Sequence, residues 1–256
     1  MSEHIYTEQD GYLLIITLAR PEKLNSVTPE MAEALISIVD NCNSDDSVRC
    51  VILTGTGDKA FCAGSDIRTL DNYDTPWNFR NRRDYCDALR HATKPVIAAV
   101  NGYAFGGGFE TAMSCDIRLA SKNASFAAPE VKLGWIGGGG MAAHLTHTIG
   151  SSNAAMMIMT GDSIDAHTAL NWGLVSRVVD RAELLSEAKE LGHTIAARAP
   201  IATETAKVNL RAAYGMNIED AITYERDLQT ICFATEDAAE GREAFKQKRA
   251  PLFNRR

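Results

Sequence analysis

Glu110 and Glu130 are the side chains best placed to do chemistry, because each follows a backbone feature that could frame a polar reaction site. Glu110 comes directly after Gly106-Gly107-Gly108-Phe109, where an apolar strand pattern (Val96 to Val100) gives way to a helical one. Glycines there let the backbone approach a ligand closely. Amides at a helix start also suit an oxygen that turns negative during a reaction. Glu130 follows Pro129 in the segment Phe126-Ala127-Ala128-Pro129-Glu130. Peptide donors beside two carboxylates are equipment for moving protons next to a carbonyl. Taken singly, each feature has a plainer reading: a tight strand–helix turn, a dipole-complementing glutamate, a helix-start residue.

Other candidates are weaker. Val51 to Ala60 matches a strand followed by G-x-G-x-x-A, a dinucleotide fingerprint, but Phe61-Cys62-Ala63-Gly64 stands where the long helix should begin. His144 and His147 could share a helix face, yet no third metal ligand has a recognisable spacing, so no metal is expected. Cys62 adjoins Gly64 and reads as a packed thiol, with no histidine placed to activate it. Arg80, Arg82 and Arg83 read as a solvated helix face, with contact to a phosphate as the alternative. Neither a G-x-S-x-G elbow nor a P-loop is present.

The elements that must position these residues follow from patterning. Tyr12–Ala19 and Cys50–Thr54 read as buried strands. Thr28-Pro29 reads as a cap and first helical position, opening a helix to about Asn43. A polar stretch, Asp71 to Arg83, leads into a helix ending near His91. After Val96–Val100 come a helix through Ser114 and short strands near Ile117–Leu119 and Ser125–Ala127. Gly137 to Gly140 reads as a loop opening a helix over Met141–Ile149. Helices follow over Ser151–Met159, Asp165–Trp172 and Ala182–Arg198, and Ile201–Lys248 reads as almost wholly helical. Strands before about residue 180 and helices alone after it predict an α/β core with a helical C-terminal appendage.

Bulk properties agree with a globular protein. The chain has 256 residues, 45% hydrophobic and 23% charged, enough for a large core. A net charge of -7 argues against a nucleic-acid partner. No apolar run is long enough to span a bilayer, so no membrane partner is expected. The six cysteines contain no C-x-x-C pair and read as reduced thiols, which with the polar N-terminus makes a cytoplasmic location the expectation.

Four stretches together resemble the crotonase family, the enoyl-CoA hydratase/isomerase superfamily. They are Arg20 to Ser26, Ala60 to Ile67, Lys94 to Asp116 and Phe126 to Gly134. The similarity runs on through Thr160-Gly161-Asp162 and Ala169–Val179 to Lys248-Arg249. It implies a spiral of β-β-α units over residues 1–198 and a helical trimerisation region over 199–256, giving a homotrimer or a hexamer of paired trimers. It also implies an acyl-CoA thioester as substrate and no separate cofactor. By the same resemblance the amides of Ser65 and Gly107 hold the thioester oxygen, Glu110 activates water, and Glu130 exchanges a proton with Cα. Leu24, Ala63, Ser65, Asp66, Ile67, Arg68 and Gly107 match positions that contact substrate or CoA. Phe245 and Lys248 match C-terminal positions that reach CoA, sometimes from a neighbouring subunit. Asp66 also reads as the cap of a helix begun by Ile67. The chain departs from the family pattern at Ile136 to Leu145, which leaves the acyl specificity open, and Trp135 could project into the acyl chamber. Hydration of an unsaturated acyl-CoA is the leading expectation. Double-bond isomerisation, dehydration, thioester hydrolysis, decarboxylation and a non-catalytic RNA-binding role are the alternatives.

Overall fold

The computed structural model describes residues 3–256, and for residues 70–72 the backbone alone. Among the described residues ten strands are formed: β1 (Ile5–Asp10), β2 (Leu13–Leu18), β3 (Cys50–Gly55), β4 (Ala60–Cys62), β5 (Val96–Val100), β6 (Tyr103–Phe105), β7 (Ile117–Ser121), β8 (Ser125–Ala127), β9 (Ile164–Asp165) and β10 (Arg177–Val179). The helices among them are α1 (Pro29–Ser44), α2 (Pro76–Arg80), α3 (Tyr85–His91), α4 (Gly107–Met113), α5 (Met141–Ile149), α6 (Ser151–Thr160) and α7 (Ala166–Asn171). After the last strand come α8 (Leu184–Ala196), α9 (Pro200–Ala212), α10 (Ile218–Phe233) and α11 (Glu236–Gln247).

The strands form two sheets, one ordered β1-β2-β3-β5-β7-β10 and the other β4-β6-β8-β9. Consecutive pairs β3/β4, β5/β6 and β7/β8 each place their first strand in the large sheet and their second in the small one. Every turn of the chain therefore adds one rung to each sheet. This is the spiral of β-β-α units that the resemblance implies, although the sequence carries no matching repeat. Alternation along the central strands divides the core between the two faces. Ile52, Ile97, Ala99 and Leu119 pack with Leu184 and Ala188 of α8. Val51, Leu53, Ala98 and Val100 face α1, α3, α4 and the small sheet.

Thr28 caps α1 by accepting from the Met31 amide at 3.3 Å, with Pro29 at the first helical position, as its residues predict. Differences from the expected elements are local. Strand β1 has only Ile5 buried, so its polar residues hide an edge strand held by antiparallel pairing to β2. Strands β4 and β6 have three residues each, too few to show a period. The polar stretch before α3 contains the short exposed helix α2, capped by Thr75. The long C-terminal helical segment is three helices, broken at residues 213–217 and 234–235. Among the described residues, no helix is long and apolar enough to cross a membrane.

Candidate active site

The small sheet explains why distant residues meet. Strands β4, β6 and β8 run parallel as neighbours, with Cys62 paired to Ala104 and Phe105 to Ala127. The segments leaving their C-terminal ends are consequently adjacent. After β4 comes Ala63-Gly64-Ser65, after β6 Gly106-Gly107 and Glu110, and after β8 Pro129-Glu130. Loops at the carboxyl ends of parallel strands are where open α/β sheets place ligands. Here they border a chamber of about 570 Å³, lined by Ala63, Ser65, Ile67, Gly107, Glu110 and Glu130 with Phe79, Arg82, Leu133, Trp135 and Ile136.

Close backbone contact holds the first two loops together. A Cβ on Gly108 would lie 1.9 Å from the Cys62 carbonyl oxygen, so only glycine lets α4 start against β4. Gly107 packs so tightly that a Cβ there would come within 3.4 Å of the Ser65 amide nitrogen. The Ser65 segment is pinned from the other side, where Val27 donates to the Gly64 carbonyl at 2.8 Å and accepts from the Asp66 amide at 2.9 Å. Ser65 and Gly107 themselves have amides with no protein acceptor among the described residues. For Gly107 this follows from its place in the first turn of a helix. Two neighbouring N–H groups thus border the chamber with hydrogen bonds to give.

Both carboxylates are buried, at 6% exposure for Glu110 and 9% for Glu130. Burial pushes the Glu110 carboxyl up to about 7, and repulsion from Glu130 adds to the rise. Two amides oppose it: those of Gly139 and Met141 donate to Glu110 Oε1 at 2.7 and 3.3 Å. The loop from Gly137 to Gly140 therefore wraps Glu110, and a Cβ on Gly139 would sit 2.8 Å from Glu110 Oε2. Burial likewise raises the Glu130 carboxyl, and its Oε2 is buried with no hydrogen-bond partner. The two acids have different surroundings, Glu110 held by two amides and Glu130 Oε2 by no donor, which suits one to act as base and the other as acid.

Of the residues matched to CoA-contacting positions, Ala63, Ser65, Ile67 and Gly107 line the chamber, and Leu24, Asp66, Arg68, Phe245 and Lys248 do not. Leu24 is adjacent, its carbonyl accepting from the Ala63 amide at 3.0 Å. Asp66 caps the 3₁₀ turn Ile67–Asn72 through the Arg68 amide, and pairs with Arg20 at 2.9 Å and Arg68 at 2.7 Å. Those arginines hold its carboxyl well below the usual range. Phe245 is 85% exposed near the end of α11, and Lys248 caps that helix in a left-handed conformation. Cys62 is a packed thiol pushed up to about 12 by burial. His144 and His147 lie on α5, and no group of three metal-binding side chains is gathered among the described residues. No helix follows the glycines at residues 55 and 57; the chain enters β4 directly, against the dinucleotide reading.

Arg82 corrects the reading of its cluster as a solvated helix face. It lies past the end of α2, and its side chain turns over the Phe79 ring and lines the chamber. Nothing local in the sequence separates it from Arg83, which pairs with Asp40 at 3.1 Å. The hold of the Gly137–Gly140 loop on Glu110 was equally hidden, because it joins backbone amides to a side chain about thirty residues earlier.

The sequence profile of the enoyl-CoA hydratase/isomerase family matches residues 8–256. A short-chain-enoyl-CoA hydratase of Clostridium acetobutylicum is 37% identical, with 96% of this chain and 95% of that protein aligned. An (E)-benzylidenesuccinyl-CoA hydratase of Thauera aromatica is also 37% identical, over 96% and 97%. The crystal structure of enoyl-CoA hydratase from Bacillus anthracis superposes with a TM-score of 0.93 at 32% identity, covering 99% of this chain and all of that one. The chain belongs to the enoyl-CoA hydratase/isomerase family, and its fold is the one those hydratases share.

Proposed function

We propose that the protein is an enoyl-CoA hydratase that adds water reversibly across the double bond of a 2-enoyl-CoA thioester. The observation that carries the reading is the placement of two acceptor-free amides and two buried glutamates, both with raised carboxyls, around one chamber. In the forward direction the oxygen of water bonds to Cβ and Glu110 takes one of its protons. The π electrons move toward the carbonyl, and the resulting enolate oxygen is held by the Ser65 and Gly107 amides. Glu130 then delivers its proton to Cα, giving the 3-hydroxyacyl thioester; exchange with solvent restores both acids. Loss of one such oxyanion donor typically lowers the rate by about 10²–10³, and positioned acid–base groups contribute roughly 10²–10⁴.

In this reading CoA is carried by the substrate and no separate cofactor or metal takes part. Leu24, Ala63, Ile67 and Arg68 border the path of the pantetheine and nucleotide, while Asp66 orients Arg68 and Arg20. Phe245 and Lys248 meet CoA from a neighbouring protomer of a homotrimer, or a hexamer of two trimers, built by residues 199–256. Large apolar side chains exposed on these helices, Leu210, Ile218, Ile231 and Phe233 among them, support self-association. Six unpaired cysteines support the cytoplasmic location. The relatives act on acyl groups as different as a short-chain enoyl and (E)-benzylidenesuccinyl, so family membership leaves the acyl group open.

Incubation with crotonyl-CoA and with longer and branched enoyl-CoAs, followed by mass spectrometry, tests the assignment. At least one substrate should gain the mass of water. Migration of a double bond without that gain would instead mark an isomerase on the same site.

A further inference from the structure

We propose that Arg82 is a specificity-determining residue, binding the terminal carboxylate of a short enoyl-CoA whose acyl group ends in a second acid. The inference rests on the hydration reading above and names its substrate class. Among the described residues lining the chamber, Arg82 is the one cation, set among Ile67, Phe79, Leu133, Trp135 and Ile136. A plain alkyl chain gains nothing from a guanidinium in its wall, whereas a carboxylate gains a charge-assisted, potentially bidentate hydrogen bond.

The side chain is pre-set for this. Its Nη1 donates to the Phe79 carbonyl at 2.8 Å, Nη2 lies 3.2 Å from Asp84 Oδ2, and the guanidinium stacks 4.3 Å from the Phe79 ring centre. Two of its five N–H groups are thus engaged, and the others have no protein acceptor among the described residues. Arg82 lies between two cavities: Asp84 lines only the adjoining one, of about 250 Å³, whereas Arg82 lines both.

Arg82 and Glu110 approach the same stretch of the glycine loop. Arg82 Nη2 is 3.8 Å from where a Cβ on Gly138 would stand, while those on Gly137 and Gly139 would fall 2.6 and 2.8 Å from the Glu110 carboxylate. The cation and the water-activating carboxylate therefore adjoin the same three-glycine segment of the chamber wall, and a short diacid probes whether one acyl group spans the two.

Calorimetric binding of glutaryl-CoA and pentanoyl-CoA tests the inference without requiring turnover, since neither has a double bond to hydrate. The wild-type protein should bind glutaryl-CoA more tightly. In Arg82→Gln that preference should fall roughly ten- to hundredfold. Arg82→Lys, which keeps the charge and the Asp84 pair, should retain part of it. Equal binding of the two ligands by the wild type, or a glutaryl preference that survives Arg82→Gln, would overturn the inference. Parallel assays with glutaconyl-CoA and 2-pentenoyl-CoA separate the two claims. Hydration of pentenoyl-CoA without a glutaryl preference contradicts the role of Arg82 alone. A glutaryl preference without hydration of either enoyl-CoA contradicts the hydratase reading and leaves Arg82 as the anion site.

Discussion

Two buried clusters of ionisable side chains flank the same part of the spiral, and they are built on opposite principles. Behind the large sheet, Lys94 pairs with Glu204 at 2.9 Å, Glu204 with Arg255 at 2.7 Å, and Lys207 with Asp116 at 2.6 Å. Lys207 also donates to the Lys94 carbonyl at 2.7 Å, and Asp116 accepts from the Val96 amide at 2.8 Å. Each carboxylate there has a cation, and the cluster ties α9 and the C-terminal tail to the sheet. At the chamber, among the described residues, Glu110 and Glu130 have no cation partner, and Glu130 Oε2 is buried with no hydrogen-bond partner. Burial of charge is common to both clusters. What distinguishes a working site is charge left uncompensated, which keeps protons mobile near neutral pH.

Substitutions should separate the two. The largest effect is expected from Glu110→Gln and Glu130→Gln, each lowering kcat by roughly 10²–10⁴ without loss of folded protein, read by steady-state rates and circular dichroism. Next comes Gly107→Ala. Its Cβ would press within 2.9 Å of the Tyr85 hydroxyl and 3.3 Å of Gly64 Cα, spreading the two donor loops. A rate loss of about 10²–10³ is expected, with CoA affinity less affected.

Lys207→Met tests the paired cluster. Leaving Asp116 without its cation should lower unfolding free energy by on the order of 3 kcal/mol in urea titration, with kcat of the folded fraction near wild type. A kcat loss as large as that of the glutamate variants would erase the contrast between the clusters.

The smallest effect sharpens the contrast from the side of stability. The Glu110 carboxyl is raised to about 7 in the folded chain, so the unfolded chain gives up this proton first. Its stabilising contribution is complete below the ordinary carboxyl range and is lost as pH climbs through about 7. A shift of that size corresponds to about 3 kcal/mol at most. Glu110→Gln should accordingly raise unfolding free energy at pH 8 by roughly 1–3 kcal/mol and gain little at pH 5. Because Glu110 must be ionised to take a proton from water, the rate of hydration should rise as pH climbs through the same window.

Much of this was legible beforehand because it is written locally. The Thr28-Pro29 start, the apolar strands, and the strand–glycine–helix passage to Glu110 all lie within short windows, and each formed where its residues indicate. The rest depends on partners far apart in sequence. A three-residue strand such as β4 exists because β6 pairs with it. The sequence around Asp66 points to a cap, and only the fold shows its carboxylate clasped by Arg20, 46 residues earlier. The departure from the family pattern over Ile136 to Leu145 reads only as leaving the acyl specificity open. In the folded chain the glycines from Gly137 to Gly140 supply the room and one of the two amides that hold Glu110.

The most direct measurement follows isotopes. With an enoyl-CoA in water labelled with oxygen-18 and deuterium, the wild-type product should carry oxygen-18 at Cβ and deuterium at Cα. Glu110→Gln and Glu130→Gln should incorporate neither at a comparable rate. Full-rate labelling at both carbons in either variant would contradict the division of work between the two acids.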